Sequence, residues 1–321
     1  MLQVKKNKKD KQYKNILVTG GCGFIGSHLV DRLVSEGFNV FVIDNLLTGL
    51  KENINKKASY YFNDINDYVN NNESFRELVL DNKINTVFHL AACTDVRDSL
   101  DNPLNVYKTN LLSSISIINI CNRAGVEKFI FASTSAVYGE PKYLPVDEDH
   151  PTIPISPYGL SKLGFEQYLE YSDIRNNISF FIFRLPNVYG PRQRSDLEGG
   201  VVAIFHESMK INKTIIFFGD GKQTRDWVHV YDIVNAFIKS LNYKLKSGVF
   251  TLGSGEKTRL IDLFNFMKES YPYKKEQVFK EFRDGDIKHM VMSGKKAQKI
   301  LNWKAEINLK KGINLMMREQ S

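Results

Sequence analysis

Tyr158 and Lys162 stand four residues apart in the run Tyr158-Gly-Leu-Ser-Lys162, a spacing that puts a phenol and an ammonium on one helix face. A free tyrosine ionises only near pH ~10, so a phenol that is to take a proton at neutrality needs a cation beside it. Lys162 is placed to be that cation, and the chemistry that follows is removal of a proton from a hydroxyl. Upstream, Ser133, Thr134 and Ser135 close a β-like run. One of these hydroxyls can hold the reacting oxygen, although strand ends are also ordinary places for Ser and Thr.

A second constellation lies near the start. In Thr19-Gly-Gly-Cys-Gly-Phe-Ile-Gly26 the glycines Gly20, Gly23 and Gly26 sit between an apolar run and a helical pattern. There they permit a tight turn, and the helix N-terminus behind it offers free N–H groups to a pyrophosphate. Asp44 ends the next apolar run, placed to accept hydrogen bonds from an adenosine ribose and to repel a 2′-phosphate, which favours NAD over NADP. A Tyr-x-x-x-Lys pair alone is common. Its position downstream of a dinucleotide turn marks this one as catalytic.

These residues need elements to position them. Apolar β-like runs at 15–19, 39–43, 86–90, 128–132 and 179–184 alternate with helical patterns, the first over Ser27 to Glu36. Strands apolar on both faces imply a parallel sheet covered on two sides, so the fold is α/β, doubly wound. Beyond Pro186 the pattern loosens into loops, with helices expected over 201–210 and 232–241 and a strand over 248–252 that rejoins the sheet. The expected division is a basic tail at 1–14, a Rossmann domain at 15–186 and 226–254, and a smaller substrate lobe at 187–225 and 255–321. The cleft between the last two then lies at the C-terminal ends of the strands.

Composition excludes other classes. The 321 residues carry a net charge of +8, but the lysines are dispersed and no nucleic-acid recognition motif accompanies them. An anionic small substrate suits that charge equally well. Cys22, Cys93 and Cys121 form no metal-ligand spacing, so no metal site and only reduced thiols are expected. No apolar run reaches the ~18 residues of a membrane span, and the basic N-terminus is not followed by the apolar stretch of a secretory signal. The cytoplasm is the default location.

Taken in order, these segments resemble the extended short-chain dehydrogenase/reductase family, specifically its nucleotide-sugar epimerases and dehydratases. The resemblance spans nearly the whole chain through the glycine turn, Asp44-Asn45, Asp64-Ile65, His89 to Ala92, Asn110, STSAVYG, YGLSK, FRLPNVYGPRQ, FGDGKQTRDWVHV and FRDGDIKH. It implies that Phe24, Ile25, Asp44, Asn45, Asp64, Ile65, Leu90, Ala91, Ala92, Asn110 and Pro186 line the NAD site, with Tyr158 and Lys162 on the nicotinamide ribose. It gives Thr134 the sugar O4, and Asn187, Arg225 and Arg283 the diphosphate of a UDP-sugar.

The implied reaction is 4-epimerisation of a UDP-hexose through a transient 4-keto sugar, with the hydride returned to the opposite face and no net redox change. Dehydratases and decarboxylases of the family carry acidic residues where this chain has Ser135 and Ala136, which disfavours them. A 2-epimerase or another 4-epimerase of nucleotide sugars keeps the same core residues, with UDP-N-acetylhexosamines such as UDP-N-acetylglucosamine the main rival substrates. The resemblance puts Met290 at the pocket's gatekeeping position, where a methionine, intermediate and flexible, leaves acetamido sugars open. It also implies a homodimer through the helix bearing Tyr158 and one over roughly 104–121. A non-catalytic NAD-binding regulator is the reading from another class, and the intact Tyr158, Lys162 and Thr134 argue against it.

Overall fold

The computed structural model describes residues 15–69, 72–173, 178–197, 200–243, 247–282 and 287–319. Seven parallel strands form the central sheet: β1 (Asn15–Thr19), β2 (Asn39–Ile43), β3 (Ser59–Tyr61), β4 (Thr86–His89), β5 (Lys128–Thr134), β6 (Ser179–Leu185) and β7 (Ser247–Thr251). Their order is β7-β6-β5-β4-β1-β2-β3, so the direction of winding reverses between β1 and β4. That reversal opens a crevice at the C-terminal ends of the strands, as the sequence pattern requires. The run at 248–252 does rejoin the sheet, as the edge strand beside β6, with Phe250 opposite Phe183.

Alternation along β5 shows why both faces must be covered. Ile130 and Ala132 enter one cluster, packed under the helices Phe24–Ser35 and Val230–Leu241. Phe129 and Phe131 enter the other, under the helices Asn72–Asp81, Ser113–Arg123 and Pro157–Asp173. Lys128 at the head of β5 is buried too, its Nζ donating to Ser240 O, Leu241 O and Tyr243 O at 2.8, 3.1 and 3.0 Å. An ammonium thus satisfies carbonyls that the end of the Val230–Leu241 helix leaves free.

A separate cluster, including Phe205, Phe217, Phe264, Met267 and Ile313, gathers the helices Val201–Lys210, Leu260–Lys268 and Leu309–Glu319 around short strand pairs. The helix Lys295–Leu301, expected in the substrate lobe, packs instead on the sheet. Ala297, Leu301 and Trp303 join its core, and Trp303 Nε1 donates to Asp232 O at 2.7 Å. The reason is its apolar side, which the flank of the Val230–Leu241 helix covers. Among the described residues no helix is long and apolar enough to cross a membrane.

Candidate active site

A cavity of about 540 Å³ lies at the strand ends, within the usual size of small-molecule sites. Its wall brings together Gly20, Gly23, Phe24, Ile25, Gly26, Asp44, Asn45, Asp64, Ile65, Leu90, Ala91, Ala92, Thr134, Tyr158, Lys162, Pro186 and Asn187. These come from segments as distant in sequence as the first turn and the loop after β6.

The glycine turn shows what the site is shaped to receive. Gly20 is left-handed at φ 73°, and a Cβ there would stand 2.8 Å from Ala91 N; at Gly26 it would meet Gly20 O at 2.0 Å. Those two glycines serve the chain's own packing. At Gly23 the sole neighbour of such a Cβ is Gly20 O at 3.3 Å, so the missing side chain leaves room on the cavity side. The helix Phe24–Ser35 begins there with no side-chain cap, leaving its first N–H groups for an anion. The Asp44 carboxylate is fixed by Cys22 N on Oδ2 and Leu46 N on Oδ1, both at 2.8 Å. Its remaining lone pairs suit ribose hydroxyls. Donors, glycine space and carboxylate together fit NAD.

Behind the next wall segment runs a directional chain. Thr19 Oγ1 accepts from Leu90 N and Ala91 N, each at 3.2 Å, so its own proton goes to His89 Nδ1 at 2.8 Å. His89 therefore carries its proton on Nε2 and donates to Ser114 Oγ at 2.8 Å, and Ser114 donates on to Asn110 O at 2.8 Å. Burial pushes the His89 imidazolium down to about 3, in keeping with a neutral ring. Asn110 closes the arrangement: its amide takes Cys93 N and gives to Cys93 O and Ser161 Oγ.

At the other end, Tyr158 and Lys162 lie on one face of the helix Pro157–Asp173. Burial raises the Tyr158 phenol, and a hydrogen bond with the Thr134 side chain pulls it back. Thr134 starts the turn after β5, its Oγ1 accepting from Ala136 N at 3.1 Å. The Lys162 ammonium donates to Ala132 O at 3.0 Å and sits 4.7 Å from the Phe131 ring centre. Burial lowers it to about 8, against the pull of Cys93 and Glu166. Glu166 is a further turn along the same face, fully enclosed, paired with Arg184 at 2.7 Å and accepting from Ser133 Oγ. Arg184 also donates to Tyr138 at 3.1 Å.

Not every expected residue reaches the wall. Asn110 is buried behind it, since both faces of its amide are spent on the Cys93 backbone and Ser161. Met290 packs in a closed cluster with Val137, Tyr138, Val146 and Leu163. Arg225 turns to Thr224 O and Lys288 O at 3.0 and 3.3 Å, away from the wall. Arg283 lies outside the described residues. Conversely, Glu166 and the cavity residues Arg192, Gln193 and Arg194 had no assigned role. The spacing of Glu166, four beyond Lys162 and eight beyond Tyr158, was a signal that could have found it.

This glycine cradle, ribose-facing carboxylate and Tyr/Lys pair on a doubly wound sheet define a class, and the family comparison agrees: the chain belongs to the NAD dependent epimerase/dehydratase family, whose model matches residues 16–253. NAD is its cofactor, and the chain is a nucleotide-sugar epimerase-family enzyme similar to UDP-glucose 4-epimerases. A putative UDP-glucose 4-epimerase of Methanocaldococcus jannaschii is 42% identical over 304 residues, 93% of this chain and 95% of the relative. The crystal structure of UDP-glucose 4-epimerase with UDP-glucose from Thermotoga maritima superposes with a TM-score of 0.91 at 39% identity, covering 95% of this chain and 99% of that one. The Thermus thermophilus UDP-glucose 4-epimerase complex with NAD gives 0.88 at 33% identity, covering 95% and 98%.

Proposed function

We propose that the chain interconverts the 4-epimers of a UDP-hexose, UDP-glucose and UDP-galactose, through a transient 4-keto sugar. What carries this reading is the convergence of Tyr158, Thr134 and Lys162 in one cavity with Asp44 and the glycine turn. NAD, held by Asp44 and the glycine turn, would supply the acceptor and donor for the C4 hydride. Tyr158 removes the O4 proton and later gives it back. Thr134 holds O4 by its hydroxyl, and Lys162 favours the phenolate. Ser135 and Ala136, where the dehydratases have acids, supply no group for elimination.

In this reading residues 187–225 and 255–321, apart from the helix on the sheet, hold the nucleotide sugar, with Asn187 and Arg283 on its diphosphate and Arg225 joining them only by leaving the Thr224 and Lys288 carbonyls. A homodimer belongs to it as well; Leu104, 83% exposed, and the half-exposed Leu112 and Leu160 support a contact through their two helices. The relatives' named activity, UDP-glucose 4-epimerisation, supports the substrate.

The test is incubation of purified protein, with no NAD added, with UDP-glucose, UDP-galactose and their N-acetylated counterparts, identifying every product. UDP-glucose and UDP-galactose should interconvert, and Tyr158→Phe should lower the rate by about 10²–10⁴ while still binding NAD. Turnover confined to the acetylated pair would reassign the substrate. Substantial activity in Tyr158→Phe would remove Tyr158 as the base.

A further inference from the structure

After β6 the chain passes through Asn187–Tyr189 and crosses to the helix that follows the glycine turn. Pro191 O is met by His28 Nε2 at 2.9 Å, Arg192 Nη2 pairs with Asp31 Oδ2 at 2.7 Å, and Arg194 Nη1 donates to Thr48 O at 3.1 Å. His28 and Asp31 belong to the helix that follows the glycine turn. Thr48 adjoins Gly49, where a Cβ would lie 2.7 Å from Asp44 Oδ1. The crossing therefore ends at the carboxylate expected to hold the adenosine ribose.

Two polar atoms on this segment have no partner. Arg192 Nη1 and Gln193 Oε1 are both buried without a hydrogen bond, and both residues line the cavity. A buried donor and a buried acceptor, each unused, are costly unless a ligand completes them. Ribose hydroxyls, which give and take hydrogen bonds, and phosphate oxygens, which take them, are the complements that a dinucleotide brings.

We propose that Pro191–Arg194 is a clasp over the adenosine half of NAD, in which Arg192 Nη1 and Gln193 Oε1 bond the cofactor's ribose-phosphate and the Arg194 link holds the clasp shut. Its consequence is slow exchange of NAD. An enzyme that takes and returns one hydride needs its cofactor to stay through each turnover, so the inference rests on the epimerase reading. It concerns retention only, and assigns the clasp no part in proton or hydride transfer.

The experiment loads the purified holoprotein with labelled NAD and chases it with excess unlabelled NAD, with no sugar present. Arg192→Ala and Arg194→Ala should each exchange NAD about tenfold faster or more, the loss of one charge-assisted hydrogen bond. Gln193→Leu should move in the same direction. Arg32→Ala, on the same helix as Asp31 but paired with Glu36 at 2.7 Å, should exchange like the wild type. If Arg192→Ala fails to fold, Arg192→Lys keeps a cation for Asp31, lacks the second nitrogen, and should still exchange faster. Unchanged exchange in all the clasp variants overturns the proposal. Because no sugar is present, that result leaves the epimerase assignment to its own test.

Discussion

Burial brings the Lys162 ammonium down to about 8, while Ala132 O at 3.0 Å and the Phe131 ring keep a place for its charge below that. The proposed reaction needs the charged form, so activity should fall as pH rises through about 8. Arginine stays protonated above pH ~12, so Lys162→Arg should move that alkaline limb upward whatever its absolute rate. A pH–rate profile from the wild type and the variant reads both; an unmoved limb assigns the titration to another group. That Tyr158, Lys162 and a hydroxyl at the end of β5 share one cavity was legible because spacing on a helix and position after a strand are properties of the sequence, while the resemblance alone singled out Thr134. Asn110 and Met290 lie off the cavity wall, which spacing does not reveal, because whether a side chain faces a cavity or the packing behind it is decided by the helices that cover it. The Asn110 amide faces its neighbours' backbone, and Met290 faces Tyr138 and Val146.

The turn after β5 and the helix Pro157–Asp173 meet through Gly159. A Cβ there would stand 2.5 Å from Ala136 O, so the missing side chain sets how near Tyr158 comes to Thr134. Gly159→Ala should cost about 1–3 kcal/mol of stability, as overpacking does, and lower kcat about 100-fold, the typical effect of an ångström's misplacement. Gly164 lies on the same helix, where a Cβ would touch Leu111 Cδ1 at an ordinary 3.4 Å. Gly164→Ala should therefore stabilise by about 0.5–1 kcal/mol. Urea midpoints and turnover for the two variants separate propensity from position; equal effects would sink the argument. Strands and helices of this kind were readable from periodicity, to within a few residues at their ends. The three-residue β3 is too short to show a period, and the π-turn Lys108–Leu112 that presents Asn110 has no sequence signature.

Stability belongs to the whole molecule, and His89 gives it a pH dependence. Folding holds this ring neutral, its imidazolium pushed down to about 3, whereas the unfolded chain protonates it near pH ~6.5. Between those values the unfolded state binds more protons, so His89 contributes a loss of about 1.4 kcal/mol per unit as pH falls, complete at about 3. In His89→Gln the difference in unfolding free energy between pH 5 and pH 7 should shrink by about 2 kcal/mol. An unaltered difference in denaturant titrations would show that the histidine is not the group responsible. At this scale the doubly wound sheet was visible in the alternation of apolar runs with helices, while the reach of residues 191–194 back to Asp31 and Thr48 was not, since no periodicity encodes where a loop lands. The sheet's order also bears on biosynthesis. β6, Ser-Phe-Phe-Ile-Phe-Arg-Leu, is paired on its outer edge only by β7, which the ribosome delivers more than sixty residues later. Until then a nascent chain carries an open, phenylalanine-rich edge of the kind that recruits other strands, and its safe passage depends on chaperones or on speed.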